Sequence, residues 1–401
     1  MKALRNYLDK IKPNFEEGGK LQAFRSLYDG FETFLFVPNE TSKSGVHIHD
    51  AIDSKRIMSI VVLALIPAML FGMYNVGYQH FLAIGSLADA DFWSVFGYGF
   101  LAVLPKILVS YIVGLGIEFT VAQWKGEEIQ EGYLVTGLLI PLIVPAGCPL
   151  WILAIAVAFS VIFCKEVFGG TGMNVFNPAL VARVFLFFAY PAKMSGDQVW
   201  VLKDSICGIG AGELVDGYTG ATLLGQTAVA DGSAALTSVA GQSTSLMDMI
   251  YGFIPGSIGE TSVVAIALGA ILLLWTGVAS WKTMSSVFVG GIVMALVFNT
   301  FGSESNAMAQ LPWYEHIFLG GFCFGAVFMA TDPVTSARTE KGKFVYGLLI
   351  GMLAIIIRVL NPGYPEGMML AILFMNVFAP LIDYYVVDSN VKARRSRVKN
   401  N

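Results

Sequence analysis

Long apolar runs separated by short polar loops dominate the chain from residue 57 onward. A helix that crosses a bilayer needs about 20 apolar residues, and residues 57–78, 261–281 and 283–303 meet that length without a charge. Less uniform candidates are 102–122, 133–145, 150–167, 177–191, 314–331, 344–360 and 367–387. The pattern predicts an all-α polytopic membrane protein with ten transmembrane helices, two of them short (133–145 and 177–191). Composition agrees: of 401 residues 55% are hydrophobic and 13% charged, with mean hydropathy +0.66, where soluble domains carry about 25% charged residues.

The loops sort by Lys and Arg. Residues 78–92, 146–149, 303–312 and 361–366 carry none, and 192–260 carries only Lys193 and Lys203. The other side holds Lys55, Arg56, Lys125, Lys165, Lys282, Arg338, Lys341, Lys343 and the tail from Lys392 to Lys399. Positive charge stays inside, so both termini of this multi-pass protein are expected in the cytoplasm and 192–260 outside. Lys106 is the misfit, expected to snorkel from the outer end of the second helix. Residues 1–53 are polar and of mixed charge, with no run resembling a cleaved signal. The net charge of −4 says nothing about partners because it is partitioned by loop, and nothing points to a nucleic acid. Cys148, Cys164, Cys207 and Cys323 are scattered without a C-x-x-C, which argues against a disulfide framework or an iron–sulfur centre.

An internal duplication supports the count. Gly137, Ala146 and Pro149 recur as Gly321, Ala330 and Pro333, each 184 positions on, as does Asn177-Pro178 at Asn361-Pro362. Five helices per half is an odd number, so the halves are expected upside down relative to each other. Inverted repeats place a translocation site at their interface, on short or interrupted helices. The matching Gly/Pro-interrupted stretches 136–141 and 320–325 fit that signature, or they let helices pack closely. The expected division is a 1–55 arm, repeats at 56–191 and 261–387, a 192–260 loop, and a basic 388–401 tail.

The loop contains DGYTGAT at 216–222, a Gly-rich turn that ends in a hydroxyl. It resembles the D-x-x-[ST]-G-A-T site at which a flavin transferase esterifies FMN to threonine through the FMN phosphate. The alternative is an ordinary Gly/Thr turn. With KEVFGGTGMNVFNPAL at 165–180, FLFFAYP at 185–191, IPGSIGE at 254–260, ATDP at 330–333 and NPGYPEGMML at 361–370, the ordered set resembles the B subunits of Na+-translocating NADH:quinone oxidoreductases. The likeness covers nearly the whole chain. Residues 198–215 depart from it, being longer than expected just before the flavin motif.

The resemblance implies an enzyme subunit, an NADH:quinone reductase that expels Na+. Electrons would arrive from partner subunits, pass through covalent FMN and bound riboflavin, and reduce quinone. Thr222 would carry the FMN, and Asp216, Thr219, Gly220 and Ala221 would be recognised by the flavin transferase. Asn174 and Asn177 would lie near riboflavin; Asn177 before Pro178 is also a good helix cap. The chain has no dinucleotide fingerprint, so NADH oxidation would belong to a partner subunit. Acids at helix ends are functional candidates, and Glu118, Asp332 and Asp383 are linked by the resemblance to Na+ uptake; as interfacial acids they would simply sit in water or pair with lysine. Leu138, Leu142, Phe324 and Phe328 would form an apolar gate, or plain core. Gly114, Leu115 and Gly116 would lie by the quinone site, as could the aromatic arm (Phe15, Phe24, Tyr28, Phe31, Phe34, Phe36). His47 and His49 before Asp50 lack a third ligand nearby, so no metal site is expected. Two other readings stay open: the D subunit of an Rnf-type ferredoxin:NAD+ oxidoreductase, and a solute channel resembling urea transporters.

Overall fold

The computed structural model describes residues 2–15, 54–125, 132–230, 232 and 236–399, with positions 19, 21, 22, 25, 28, 32, 35 and 36 between the first two blocks. The His47, His49, Asp50 group and Phe24, Phe31 and Phe34 lie outside the described residues. The helices are α1 (Lys2–Ile11), α2 (Ser54–Ala83), α3 (Phe92–Lys125), α4 (Tyr133–Leu142), α5 (Leu150–Ser160), α6 (Pro178–Ala189), α7 (Leu223–Val229), α8 (Leu246–Tyr251), α9 (Val263–Trp275), α10 (Trp281–Phe301), α11 (Ala307–Gln310), α12 (Trp313–Phe318), α13 (Phe322–Phe324), α14 (Glu340–Leu360) and α15 (Met368–Lys399). Five of them, α2, α3, α10, α14 and α15, are long and apolar enough to cross a membrane; α4, α6 and α9 are shorter apolar helices.

Local chemistry fixes the ends. Asn177 caps α6, its Oδ1 accepting from Ala179 N at 3.0 Å and Leu180 N at 3.4 Å, with proline in the first turn. Ser262, Ser280 and Thr339 cap α9, α10 and α14 in the same way. The stretch predicted as 314–331 is broken: α12 stops at Phe318, Gly320 takes a left-handed φ of +62°, and α13 restarts at Phe322. Two π-turns interrupt the regular ladder, Val161–Glu166 after α5 and Gly325–Met329 after α13. Such turns gather at functional sites, and both lie against the cavity described below.

The same pairings recur in both halves. α3 packs on α5 as α10 does on α14; α5 on α6 as α14 on α15; α3 on α4 as α10 on α12. α2 and α9 join the halves across the middle, and one continuous apolar core runs through both. Residues 192–230 and 236–260 fold back over the Ala83 end of α2. Val215 N donates to Ala83 O at 2.9 Å, and each ring nitrogen of His80 faces a carbonyl oxygen, that of Leu202 at 2.7 Å and of Gly210 at 2.8 Å. His80 is also stacked on Tyr98 with centroids 3.9 Å apart.

One expectation is corrected. Lys106 does not snorkel from a helix end. α3 begins at Phe92, ten residues before the predicted start, so Lys106 lies in its middle, 6% exposed, and donates to Ala102 O at 3.0 Å. The tail predicted as a separate 388–401 segment continues α15 to Lys399.

Candidate functional site

Two cavities lie at opposite ends of the bundle. The first, of about 90 Å³, opens at the start of α2 and of α6, lined among others by Ile57, Thr136, Lys165, Asn174, Asn177, Phe328 and Asp332. Four residues expected to serve two functions, Asn174, Asn177, Phe328 and Asp332, thus line one cavity. The Asp332 carboxylate accepts from Asn177 Nδ2 at 3.1 Å, Val334 N at 3.0 Å and Thr335 Oγ1 at 2.9 Å. Asn177 is therefore engaged on both sides of its amide, and Asn174 Nδ2 donates to Phe176 O at 2.9 Å. Ahead of them Gly169, Gly170 and Gly172 take φ of +111°, +95° and +90°, a turn that side chains would strain. Pockets for small ligands enclose about 300–1,000 Å³, and this cavity is smaller than that range.

Beside it Lys165 forms a buried ion pair with Glu118, both side chains 5% exposed. Tyr133 closes over the pair; its hydroxyl donates to Ser110 O at 2.9 Å. Asp383 is elsewhere, holding the turn before α14 by accepting from Arg338 N at 2.7 Å, Thr339 N at 2.9 Å and Thr339 Oγ1 at 2.5 Å. The three acids expected on one ion path thus have three different settings: paired, cavity-lining and turn-capping. Leu138, Leu142, Phe324 and Phe328 are all buried, the two rings 4.9 Å apart, and of the four only Phe328 reaches the cavity. Gly114 packs on the Tyr133 ring, where a Cβ would collide; a Cβ on Gly116 meets nothing within 4 Å, and Leu115 is partly buried. Among the described residues no group of three or more His, Cys, Asp or Glu could hold a metal ion.

The second cavity, about 500 Å³, lies at the Ala83 end of the bundle. Thr219, Ala221 and Thr222 form one side; Arg183, Phe187, Tyr364 and Glu366 form another. Thr222 is the cap of α7, and its Oγ1 accepts from Gly225 N at 3.1 Å, which leaves its own hydroxyl proton uncommitted. Gln226 pins the motif, donating to Ala221 O at 3.2 Å and Thr237 O at 2.9 Å. Gly220 is buried against the Asp197 carbonyl, Gly217 turns at φ +78°, and Asp216 is exposed. Tyr218 lies under the Lys203 ammonium at 4.9 Å; burial, and then the charge of Asp197, push its phenol above the ordinary value, so it stays neutral. A nucleophilic hydroxyl on a glycine-lined turn beside a cavity of ligand size fits the attachment of FMN.

Under that cavity lie residues that the motifs did not single out. Arg183, 2% exposed, donates to Ser257 Oγ at 3.1 Å and Glu260 Oε1 at 3.4 Å, and is paired with Glu366. Arg358 donates to Glu366 O at 2.9 Å and Leu319 O at 3.0 Å, and also to His316 O, bracing the broken α12–α13 segment. The signal was available: an ionisable residue inside an apolar span is costly and marks a site by default.

The helices, the core shared by two similarly paired halves and the cavities at either end define a polytopic, all-helical membrane protein. The chain belongs to the NQR2, RnfD, RnfE family, whose profile matches residues 41–392. It is similar to the B subunit of the Na(+)-translocating NADH-quinone reductase of Chromohalobacter salexigens, 47% identical over 98% of this chain and 96% of the relative. The B subunits of the reductases of that name from Ectopseudomonas mendocina and Klebsiella pneumoniae are 45% and 44% identical, each over 98% of this chain and 99% of the relative.

Proposed function

We propose that the chain is the membrane subunit of a Na+-translocating NADH:quinone oxidoreductase, carrying FMN on Thr222 and working with NADH-oxidising and other subunits to reduce quinone while Na+ is exported. The observation that carries the reading is the place of Thr222, a helix-capping hydroxyl on the rim of a cavity of about 500 Å³ in a family whose relatives bear that name. Held there through its phosphate, FMN supplies one- and two-electron redox chemistry. The chain's own residues do the rest. Gln226 and Gly220 hold the turn for the flavin transferase, and Thr222 keeps the cofactor local at high effective concentration. Asp332 offers oxygen ligands and negative charge to a cation in the opposite cavity. The Thr222 loop faces outward from a bacterial inner membrane and both termini face the cytoplasm, in keeping with the distribution of Lys and Arg. Riboflavin beside Asn174 and Asn177 would require that cavity to open.

The full-length relatives favour this reading over an Rnf-type subunit, and the family match favours it over a solute channel. The test is a denaturing gel viewed under ultraviolet light. The chain made together with its flavin transferase gives a fluorescent band, and Thr222→Val gives none. A dark band from both, with the transferase active on a control protein, overturns the reading.

A further inference from the structure

α15 runs on as one helix from Met368 to Lys399, 32 residues, where about 20 suffice to cross a bilayer. Tyr384 and Tyr385, 66% and 64% exposed, close its apolar stretch, and tyrosines there favour the headgroup level. Asp383 beside them holds the turn before α14, and Trp281 and Phe344 meet edge to face at the starts of α10 and α14. Past that level α15 carries Lys392, Arg394, Arg395, Arg397 and Lys399 against one acid, Asp388. Lys392 pairs with Asp388 at 2.7 Å; Arg394 and Arg395, both exposed, meet no carboxylate among the described residues. Elsewhere at this end lysines are answered by acids: Lys282 and Lys343 by Glu340, Lys125 by Glu166, Lys165 by Glu118.

We propose that this basic end of α15 binds the anionic phospholipid headgroups of the leaflet it leaves. The directions of the charges decide between lipid and a protein partner. Successive helical residues turn by about 100°, so Lys392, Arg394, Arg395 and Arg397 point around the whole circumference of α15. An acidic groove on a partner subunit would meet one face only. Headgroups surround a helix as it leaves the bilayer, and long cationic side chains reach back to them from every side. Distance permits it. Arg395 lies ten residues past Tyr385, about 15 Å along the axis. A side chain bent back toward the membrane brings its charge to within the Debye length of about 8 Å. Each such cation near an anionic surface strengthens binding about fivefold.

The test uses the full chain in nanodiscs of phosphatidylcholine, or of the same lipid with a third replaced by phosphatidylglycerol. It reads the rate at which trypsin trims the tail after its lysines and arginines. A tail held on headgroups is shielded, so trimming is expected to be on the order of tenfold slower in the phosphatidylglycerol disc, and high salt restores the faster rate. The triple variant Lys392→Gln, Arg394→Gln, Arg395→Gln keeps Arg397 and Lys399 as cut sites and alters only exposed residues. It loses most of the shielding, and any response of trypsin itself to charged lipid is read from it. Equal trimming of the parent chain in the two discs, corrected for that response, overturns the proposal. Shielding that appears only in the assembled complex, in either lipid, also overturns it and gives the tail to an acidic partner surface.

Discussion

The cavity at Asp332 and the cavity at Thr222 lie at opposite ends of one bundle, and their polar groups are disposed in contrasting ways. At Asp332 the space is about 90 Å³ and several of its polar groups are committed to one another, Asn177 to Asp332 and to the α6 cap and Asn174 to Phe176, while Thr171 Oγ1 is buried there without a partner. At Thr222 the space is about 500 Å³, and the groups facing it keep capacity to spare, a threonine proton and a tyrosine hydroxyl. A cavity of the first size has room for little more than an ion or a few waters; one of the second size has room for an organic group.

The sharpest way to break the comparison is Thr222→Val. It is expected to abolish covalent flavin while leaving the cavity at Asp332 and the helix content intact, at a cost of about 1 kcal/mol for the lost cap; flavin absorbance and circular dichroism check this. Next is the ion pair beside the small cavity. Lys165→Met leaves Glu118 buried and uncompensated, and is expected to destabilise the chain by about 3–5 kcal/mol. The double variant Lys165→Met, Glu118→Gln recovers most of that, as denaturant unfolding in detergent can show. Asp332→Asn in the assembled complex is expected to raise the Na+ concentration for half-maximal turnover about tenfold, or ~1.4 kcal/mol. Asp383→Asn, whose carboxylate is occupied by the turn before α14, is expected to change it by less than about threefold. The last contrast lies on α3. Gly114→Ala drives a methyl into Tyr133 and is expected to cost about 1–3 kcal/mol. Gly116→Ala meets open space and stays within about 0.5 kcal/mol of the parent.

The fold was largely legible because hydropathy reports what lipid requires. Each predicted span has a helical counterpart, including the short α4 and α6 and the broken α12–α13 segment. Hydropathy failed where helices run on into polar surroundings: α3 starts at Phe92 and α15 runs to Lys399, since nothing in an apolar window marks the end of a helix that continues past the bilayer. It also overran α9, which stops at Trp275 ahead of a turn at Gly277 although the apolar run continues to 281. At the sites, the local motif around Thr222 could be read because its chemistry is contained in a few consecutive residues. The partners of Arg183 and of Lys165 could not, because Glu366 is 183 positions from Arg183 and Glu118 is 47 from Lys165. A charge inside a span announces that it has a partner and not which one.

The central claim is the covalent bond at Thr222, and the mass of the peptide that contains it tests that bond most directly. From the chain matured beside its flavin transferase, the account predicts a mass increase equal to FMN less one water, located on Thr222 by fragmentation. An unmodified peptide from that preparation, recovered in full yield, would contradict it.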